Sequence, residues 1–268
     1  MEKIDIQNFF RSQLKNWPLA EENFSNLLKT KKKGFKVGAL EGLVQFNPAR
    51  AVSTLARVDK TGINKRKCFL CKENRYEEQE SIEIIEGWEL LVNPFPILPF
   101  HFTIASERHQ PQELNLTLGK TLAEKLPGMV VFYNDEGAGA SAPDHSHFQA
   151  VPLYELPLIN LINNNPYIPY DRLNLPYEIY SDKEKKDENN YPVNAFFWID
   201  KKGKGKVVII PRKSHRPDLF FLDPPYRRAV SPGAIDMAGI IVTPFKEDFE
   251  RIDDSDIKKI YSQVGVTK

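Results

Sequence analysis

Long apolar runs are missing from this chain. None approaches the ~20 residues needed to span a bilayer, and Met1 to Gln13 lacks the apolar core of a signal peptide. The expectation is a cytoplasmic protein without a membrane partner. Net charge is nearly absent too, because 37 Lys and Arg oppose 36 Asp and Glu for a formal +1. With no basic footprint, no arginine-rich helix and no RNA-binding aromatic motif, nucleic acid is not an expected partner. Cysteine is scarce. The only two, Cys68 and Cys71, stand too close in sequence for a disulfide framework, which leaves metal binding or redox chemistry to explain them. What is present is ordinary for a globular protein: 268 residues, 41% hydrophobic and 11% aromatic, enough for one sizeable core or two smaller ones.

The stretch richest in chemistry runs from Asn134 to Ala150. A turn of small residues holding Gly137, Gly139 and Ser141 leads into an alternating run in which His145, His147 and Gln149 are spaced by two. In an extended strand such residues share one face. Glycine-rich turns bring backbone N–H groups close to anions because no Cβ obstructs the approach. The two halves together suggest a phosphate held beside an imidazole. A neutral imidazole, with an unperturbed pKa of about 6.5, can attack phosphorus and form a covalent intermediate.

His-x-His-x-Gln preceded by Asn and small residues resembles the transferase branch of the histidine-triad superfamily. Its relatives include galactose-1-phosphate uridylyltransferases and dinucleoside-tetraphosphate phosphorylases, whereas the hydrolase branch usually has a third histidine where Gln149 stands. Cys68-Phe69-Leu70-Cys71, a knuckle that presents two thiolates from a tight turn, resembles the uridylyltransferase zinc motif. That resemblance implies His109 and His145 as the two remaining ligands of a structural zinc. Asn93 to Leu114 is similar to the corresponding phosphorylase segment, and Phe46-Asn47-Pro48-Ala49-Arg50 to the asparagine-proline segment of the uridylyltransferases, which makes Arg50 a candidate anion contact.

By the same resemblance His147 is the nucleophile, Gln149 the amide that holds a non-bridging oxygen, and His145 both metal ligand and positioning group. Asn134, Gly137, Gly139 and Ser141 form the phosphate loop. The implied function is a nucleotidyltransferase or phosphorylase acting on a nucleotide sugar or a dinucleoside polyphosphate through a nucleotidyl-histidine. The alternatives are a noncatalytic, zinc-stabilised nucleotide-binding protein and a nucleotide hydrolase of the same superfamily. A homodimer is allowed for. Three features depart from the family pattern. Ser141 stands one residue further from His145 than in the uridylyltransferases, Asp144 sets a carboxylate beside the first histidine, and Phe100 replaces the glycine usual before His101. His101 is therefore read as a satisfied strand residue.

The resemblance implies an α+β fold of histidine-triad type, with two tandem antiparallel-sheet-plus-helix repeats, the second lacking the histidine motif. Residues 1–38 are expected as a helical arm broken at Pro18, residues 39–158 as the site-bearing half, residues 159–192 as a connecting loop, and residues 193–268 as the second half. Lys31 to Gly34 reads as a solvated turn, residues 45–59 as strand-like with arginines such as Arg57 near an anion, and Lys183 to Asn190 as strongly polar. Strands are predicted over 82–92, 100–105, 129–133, 195–199, 206–210 and 237–243, with a charged hairpin turn at 201–206. Leu114, Leu118, Leu122 and Leu126 predict a helix over 112–126, and a second amphipathic helix is expected over 246–263. Pro211 to Pro217 and Ser231 to Gly239 echo the basic turn and small-residue loop of the first half, so their basic residues are expected to reach the substrate.

Overall fold

In the computed structural model, which describes residues 5–55, 66–182 and 190–267, helices α1 (Ile6–Asn16) and α2 (Pro18–Leu27) open the chain. Asp5 caps α1 by accepting from the Asn8 N–H, and Pro18 starts α2 where its missing N–H is no loss. Next, β1 (Lys31–Val37) and β2 (Leu40–Phe46) form a hairpin, which corrects the turn expected at 31–34. Alternation carries Phe35 and Val37 inward, and the lysines line an outer strand whose far edge pairs with no strand among the described residues. This hairpin runs across the expected boundary between residues 38 and 39. After it, Pro48 begins a 3-10 turn and α3 (Ala51–Leu55) follows, so the strand-like segment expected over 45–59 ends at Phe46, and its positions 56–59 lie outside the described residues. Proline sets a helical φ at the first position and overrides a short β-branched alternation. Arg57 lies outside the described residues, as do positions 183–189.

Seven strands form the larger sheet: β3 (Ser81–Ile85), β4 (Trp88–Val92), β5 (Phe102–Ser106), β6 (Met129–Asn134), β7 (His147–Pro152), β8 (Val193–Ile199) and β9 (Gly205–Pro211). Their order is β3-β4-β5-β7-β6-β8-β9, antiparallel throughout. The strand expected over 82–92 is a pair folded back at Gly87, which takes φ 76°. Phe100 has φ 49°, which delays β5 to Phe102. Helix α4 (Leu116–Lys125) starts later than its leucine spacing suggests because Asn115 caps it. The connection after residue 158 is partly helical, through α5 (Pro157–Asn164). Asp200 accepts from the N–H groups of Lys202 and Lys204, which makes the charged hairpin turn as expected.

Beyond β9 the chain forms α6 (Ala234–Met237), passes Gly239 at φ 102°, and enters β10 (Ile240–Thr243). Contrary to the expected strand set, β10 does not join β8 and β9. It pairs in parallel with β2 and completes a three-stranded sheet. The last helix is two, α7 (Lys246–Arg251) and α8 (Asp254–Val264), because Asp253 caps the second by accepting from the Asp256 N–H. Among the described residues no helix is long and apolar enough to cross a membrane.

Two apolar cores lie on the two faces of the large sheet. Val130 and Phe132 of β6 face the core shared with the small sheet, α5 and α8, while Met129, Val131 and Tyr133 face α4 and the N-terminal arm. A strand buried on both faces cannot slip by one residue without exchanging both sets of side chains. Its pairing therefore sets β7, with Phe132 opposite Gln149. Phe148 and Ala150 enter the second core, and His147, Gln149 and Val151 face the other way.

Helix α4 lies so close to β8 that a Cβ on Gly119 would stand 2.6–2.7 Å from ring atoms of Phe197. Gly119→Ala should lower stability by about 1 kcal/mol, because overpacking outweighs the gain in helix propensity. Urea unfolding with an unchanged slope reads this. A midpoint equal to or above wild type would mean that the Phe197 ring yields.

Candidate active site and metal centre

The knuckle closes through the Cys71 N–H, which donates to the Cys68 carbonyl at 3.3 Å. Arg75 ties it to the sheet, donating Nε to the Leu70 carbonyl and pairing with Glu89 of β4 at 2.7 Å. His145 Nδ1 stands 3.3 Å from Cys68 Sγ and 3.5 Å from Cys71 Sγ, and His109 Nδ1 lies 3.2 Å from Cys71 Sγ. All four ligand atoms fall within 4.8 Å of one another. An ideal tetrahedron around a zinc-sized ion has sulfur-to-nitrogen edges of about 3.6 Å, so the set fits such an ion. The tautomer fits too. His145 Nε2 lies 2.7 Å from the Ser106 carbonyl, which can only accept, so Nε2 carries the proton and Nδ1 presents its lone pair to the thiols. Burial pushes the Cys68 thiol up, but its contact with the His145 ring and hydrogen bonds from the Leu70 and Cys71 N–H groups outweigh it and bring it to about 6, toward the thiolate a metal needs.

His145 thus lies outside the strand, and β7 begins at His147, a correction to the single alternating run read from the sequence. His147 Nδ1 lies 2.8 Å from the His145 carbonyl, so Nδ1 carries the proton and Nε2 is left with the lone pair. Burial pushes this imidazole down to about 4 and keeps it neutral at physiological pH. Where β6 and β7 stop pairing, the Gln112 amide bridges them. It donates to the carbonyls of Asn134 and His147 and accepts from the His147 N–H, at 2.8–2.9 Å. Gln112 carries no sequence signal of this role.

His101, read as a satisfied strand residue, is satisfied at both nitrogens and stands just ahead of β5. The Ile97 N–H donates to its Nδ1 at 3.2 Å, so the proton sits on Nε2, which donates to Gln149 Oε1 at 2.8 Å. This arrangement turns the Gln149 NH₂ away from His101 and gives that amide one orientation. The signal available in the sequence was a histidine at the foot of a strand adjacent to β7, but pairing register is not legible there. Burial pushes His101 down to about 3.

The expected phosphate loop is placed as follows. Gly137, at φ 78°, forms the exposed tip, and Ser141 is exposed. The N–H groups of Ala138 and Ala140 turn inward to the Asp135 carbonyl. Gly139 serves packing, since a Cβ there would lie 2.6 Å from Gly233 Cα. Asn134 is buried, and its Oδ1 accepts from Asn194 Nδ2 at 2.9 Å and from the Ala234 N–H at 2.7 Å, so it pins the second half of the chain to the loop. Arg50 donates Nη1 to the Phe95 carbonyl at 2.9 Å, and its charge is felt at His101 and Asp236. Asp144 pairs with Arg66 at 3.0 Å, which neutralises the carboxylate that looked out of place beside His145.

In the second half, Arg212 does not reach outward. It is fully buried and donates to the carbonyls of Val264, Ala138, Ser214, His215 and Pro232 and to Asn194 Oδ1. Arg216 donates to Ser231 Oγ at 3.1 Å and to the Thr54 carbonyl at 2.8 Å, and Ser231 Oγ lies 2.9 Å from His215 Nε2. Burial, with the charges of Arg216 and Arg212, pushes His215 down to about 4.

A family model described as Domain of unknown function (DUF4922) matches residues 9–152. No curated protein matches the sequence. Among solved structures, yeast Ap4A phosphorylase Apa2 superposes with a TM-score of 0.62 at 16% identity, over 93% of this chain and 97% of that chain. The same enzyme in complex with Ap4A gives 0.59 at 16% identity, over 94% and 97%. An ADP-glucose phosphorylase from Arabidopsis thaliana with bound ADP-glucose gives 0.36 at 13% identity, over 88% and 100%. The likeness to the yeast enzyme establishes the histidine-triad-like α+β fold.

Protein purified without chelator should carry about one divalent metal ion per chain, and Cys68→Ser should release it and lower the melting temperature. Elemental analysis that finds no metal while both thiols are reduced would remove the centre. Acid should destabilise the fold by a separate route. Unfolded His101 and His215 take up protons near pH 6.5, whereas the folded groups wait until about 3 and 4. The unfolded state then binds more protons, so stability falls as pH drops from about 6.5 toward 4, by up to about 2 kcal/mol per histidine at pH 5. His215→Gln should flatten that fall in urea unfolding at pH 5 and 7. A slope as steep as wild type would mean that His215 titrates normally in the folded chain.

Proposed function

The chain belongs to the DUF4922 family, and from its fold and its paired His147 and Gln149 we propose that it is a nucleotidyltransferase or phosphorylase. Its donor would join a nucleoside through a diphosphate, as in a dinucleoside polyphosphate or a nucleotide sugar. The observation that carries this reading is the unprotonated Nε2 of His147, held on the same strand face as the oriented Gln149 amide.

His147 Nε2 attacks the α-phosphorus, and the bond from phosphorus to the bridging oxygen breaks, with that oxygen keeping the electron pair. The product is nucleotidyl-His147. An acceptor oxygen, from phosphate, a sugar phosphate or water, then attacks the same phosphorus, and the phosphorus–nitrogen bond returns its electrons to the ring. Positive charge builds on the imidazole during attack, so the hydrogen bond from Nδ1–H to the His145 carbonyl strengthens when it is most useful. The Gln149 NH₂ donates to a non-bridging oxygen, with His101 as its positioning residue. The Gly137–Ser141 turn and Arg50 remain the candidate phosphate contacts, and Asn134 acts through the loop it pins.

We assign zinc to the metal centre, held by Cys68, Cys71, His109 and His145. Four protein ligands would leave no open position, so the ion would supply cross-linking rather than Lewis acidity and would fix His145 ahead of β7. A cytoplasmic setting, where thiols stay reduced, suits this centre. Residues 193–268 are read as a half that lacks the histidine pair. Its Pro211–Arg216 turn follows β9 at the end of the sheet where Asn134 and His147 stand.

Incubated with a labelled donor and no acceptor, the protein should acquire an acid-labile, base-stable label on His147. His147→Ala should keep metal content and melting temperature and take no label. Turnover without a trapped adduct would point to general-base attack by water. If no donor in a panel of dinucleoside polyphosphates and nucleotide sugars labels the protein or turns over, the noncatalytic nucleotide-binding alternative takes its place.

A further inference from the structure

Among the described residues, Arg66 is anchored on one side and unclaimed on the other. Two residues before the knuckle, its Nη2 donates to Asp144 Oδ1 at 3.0 Å and to the Ser141 carbonyl at 3.1 Å, and its guanidinium lies over the Phe69 ring. Nη1, by contrast, is buried and meets no hydrogen-bond partner among the described residues. A desolvated, charged N–H without an acceptor is costly, so folded chains rarely keep one without a use. The surroundings supply the use. Ser141 and Asp144 belong to the turn that leads into His145 and His147, so the acceptors that seat Arg66 come from the site's own loop. Positive charge and an empty donor thus stand together at the entrance to the strand that carries the candidate nucleophile.

We propose that Arg66 is a phosphate ligand, with Nη1 taking a non-bridging oxygen of the phosphoryl group bound beside His147. The inference rests on the nucleotide-transfer reading above and adds to it a charged donor on the metal side of the site. A guanidinium is a planar fork, and here one prong is fixed by protein acceptors, so the other needs no reorganisation when an anion arrives. Asp144 is the positioning residue. Its carboxylate holds the fork and is itself neutralised by it, which explains how an acidic side chain is tolerated next to a phosphate site. The longer spacing from Ser141 to His145 has the same consequence, because it supplies the turn whose carbonyl and carboxylate together seat Arg66. Charge that collects on the equatorial oxygens during transfer would strengthen the Nη1 contact relative to the ground state.

Arg66→Ala, Arg66→Lys and the double variant Arg66→Ala/Asp144→Asn decide the matter, each checked for metal content and melting temperature. Two quantities are read: the affinity for inorganic pyrophosphate by calorimetry, and the rate of His147 labelling by donor. Arg66→Ala should weaken pyrophosphate by at least ~10-fold and slow labelling by about 100-fold, with Arg66→Lys between it and wild type. The double variant removes the carboxylate that Arg66→Ala unmasks, so a loss that persists in it belongs to the missing donor. Wild-type affinity and rate in the double variant would overturn the proposal, as would wild-type behaviour of Arg66→Ala or a wild-type protein that binds no pyrophosphate. A lowered melting temperature with unchanged pyrophosphate affinity would also overturn it, by making Arg66 a strut for the turn. If no donor labels the wild type yet Arg66→Ala loses pyrophosphate, the transfer reading fails and the phosphate site stands.

Discussion

Both ring nitrogens of His145 are committed by the protein, and the rest of the site depends on that commitment. Nε2 donates to the Ser106 carbonyl, so Nδ1 must face the thiols of Cys68 and Cys71. The same backbone that holds the ring there offers its carbonyl to His147 Nδ1. One residue therefore links the end of β5, the cysteine knuckle and the tautomer of the next histidine. A ring that could rotate at His145 would free the carbonyl behind it, and His147 would then have no reason to keep its proton on the inner nitrogen.

A second constraint comes from the far part of the chain. Arg212 places a buried charge among five carbonyls and the Asn194 amide, and a guanidinium without those acceptors would be far more costly to bury than the apolar residues around it. Two of its acceptors, Ala138 and Pro232, lie on the two small-residue loops, and Gly139 lets those loops touch. Asn134 closes the same junction from β6. The loop that precedes His145 is thus held by residues 60 to 100 positions away, and the site is a property of both halves even though only one carries the paired histidines.

Much of this was legible in the chain. His-x-His-x-Gln with its small-residue turn, and the Cys-Phe-Leu-Cys knuckle, pointed to the fold that the likeness to the yeast enzyme establishes. Short apolar runs located β6, β8 and β9, and a leucine stripe at a spacing of four located α4, to within a few residues, because burial selects apolar side chains. The misplacements have local causes. Lysine-rich β1 is an edge strand whose partners are not written in its own residues, α3 follows a proline that outranks alternation, and the long strand over 82–92 hides a glycine reversal.

By itself the sequence determined which side chains were available for chemistry: two thiols three positions apart, an imidazole spaced by two from an amide, and a turn of glycine, alanine and serine. Tertiary structure alone decided which nitrogen of each imidazole is bare, that His101 orients Gln149, that Gln112 bridges the splay of β6 and β7, and that Asp144 faces Arg66. The reason is physical. Composition and spacing are properties of one segment, whereas a tautomer, an amide orientation or an ion pair is set by the acceptor that a different segment brings within about 3 Å, and strand register chooses that acceptor.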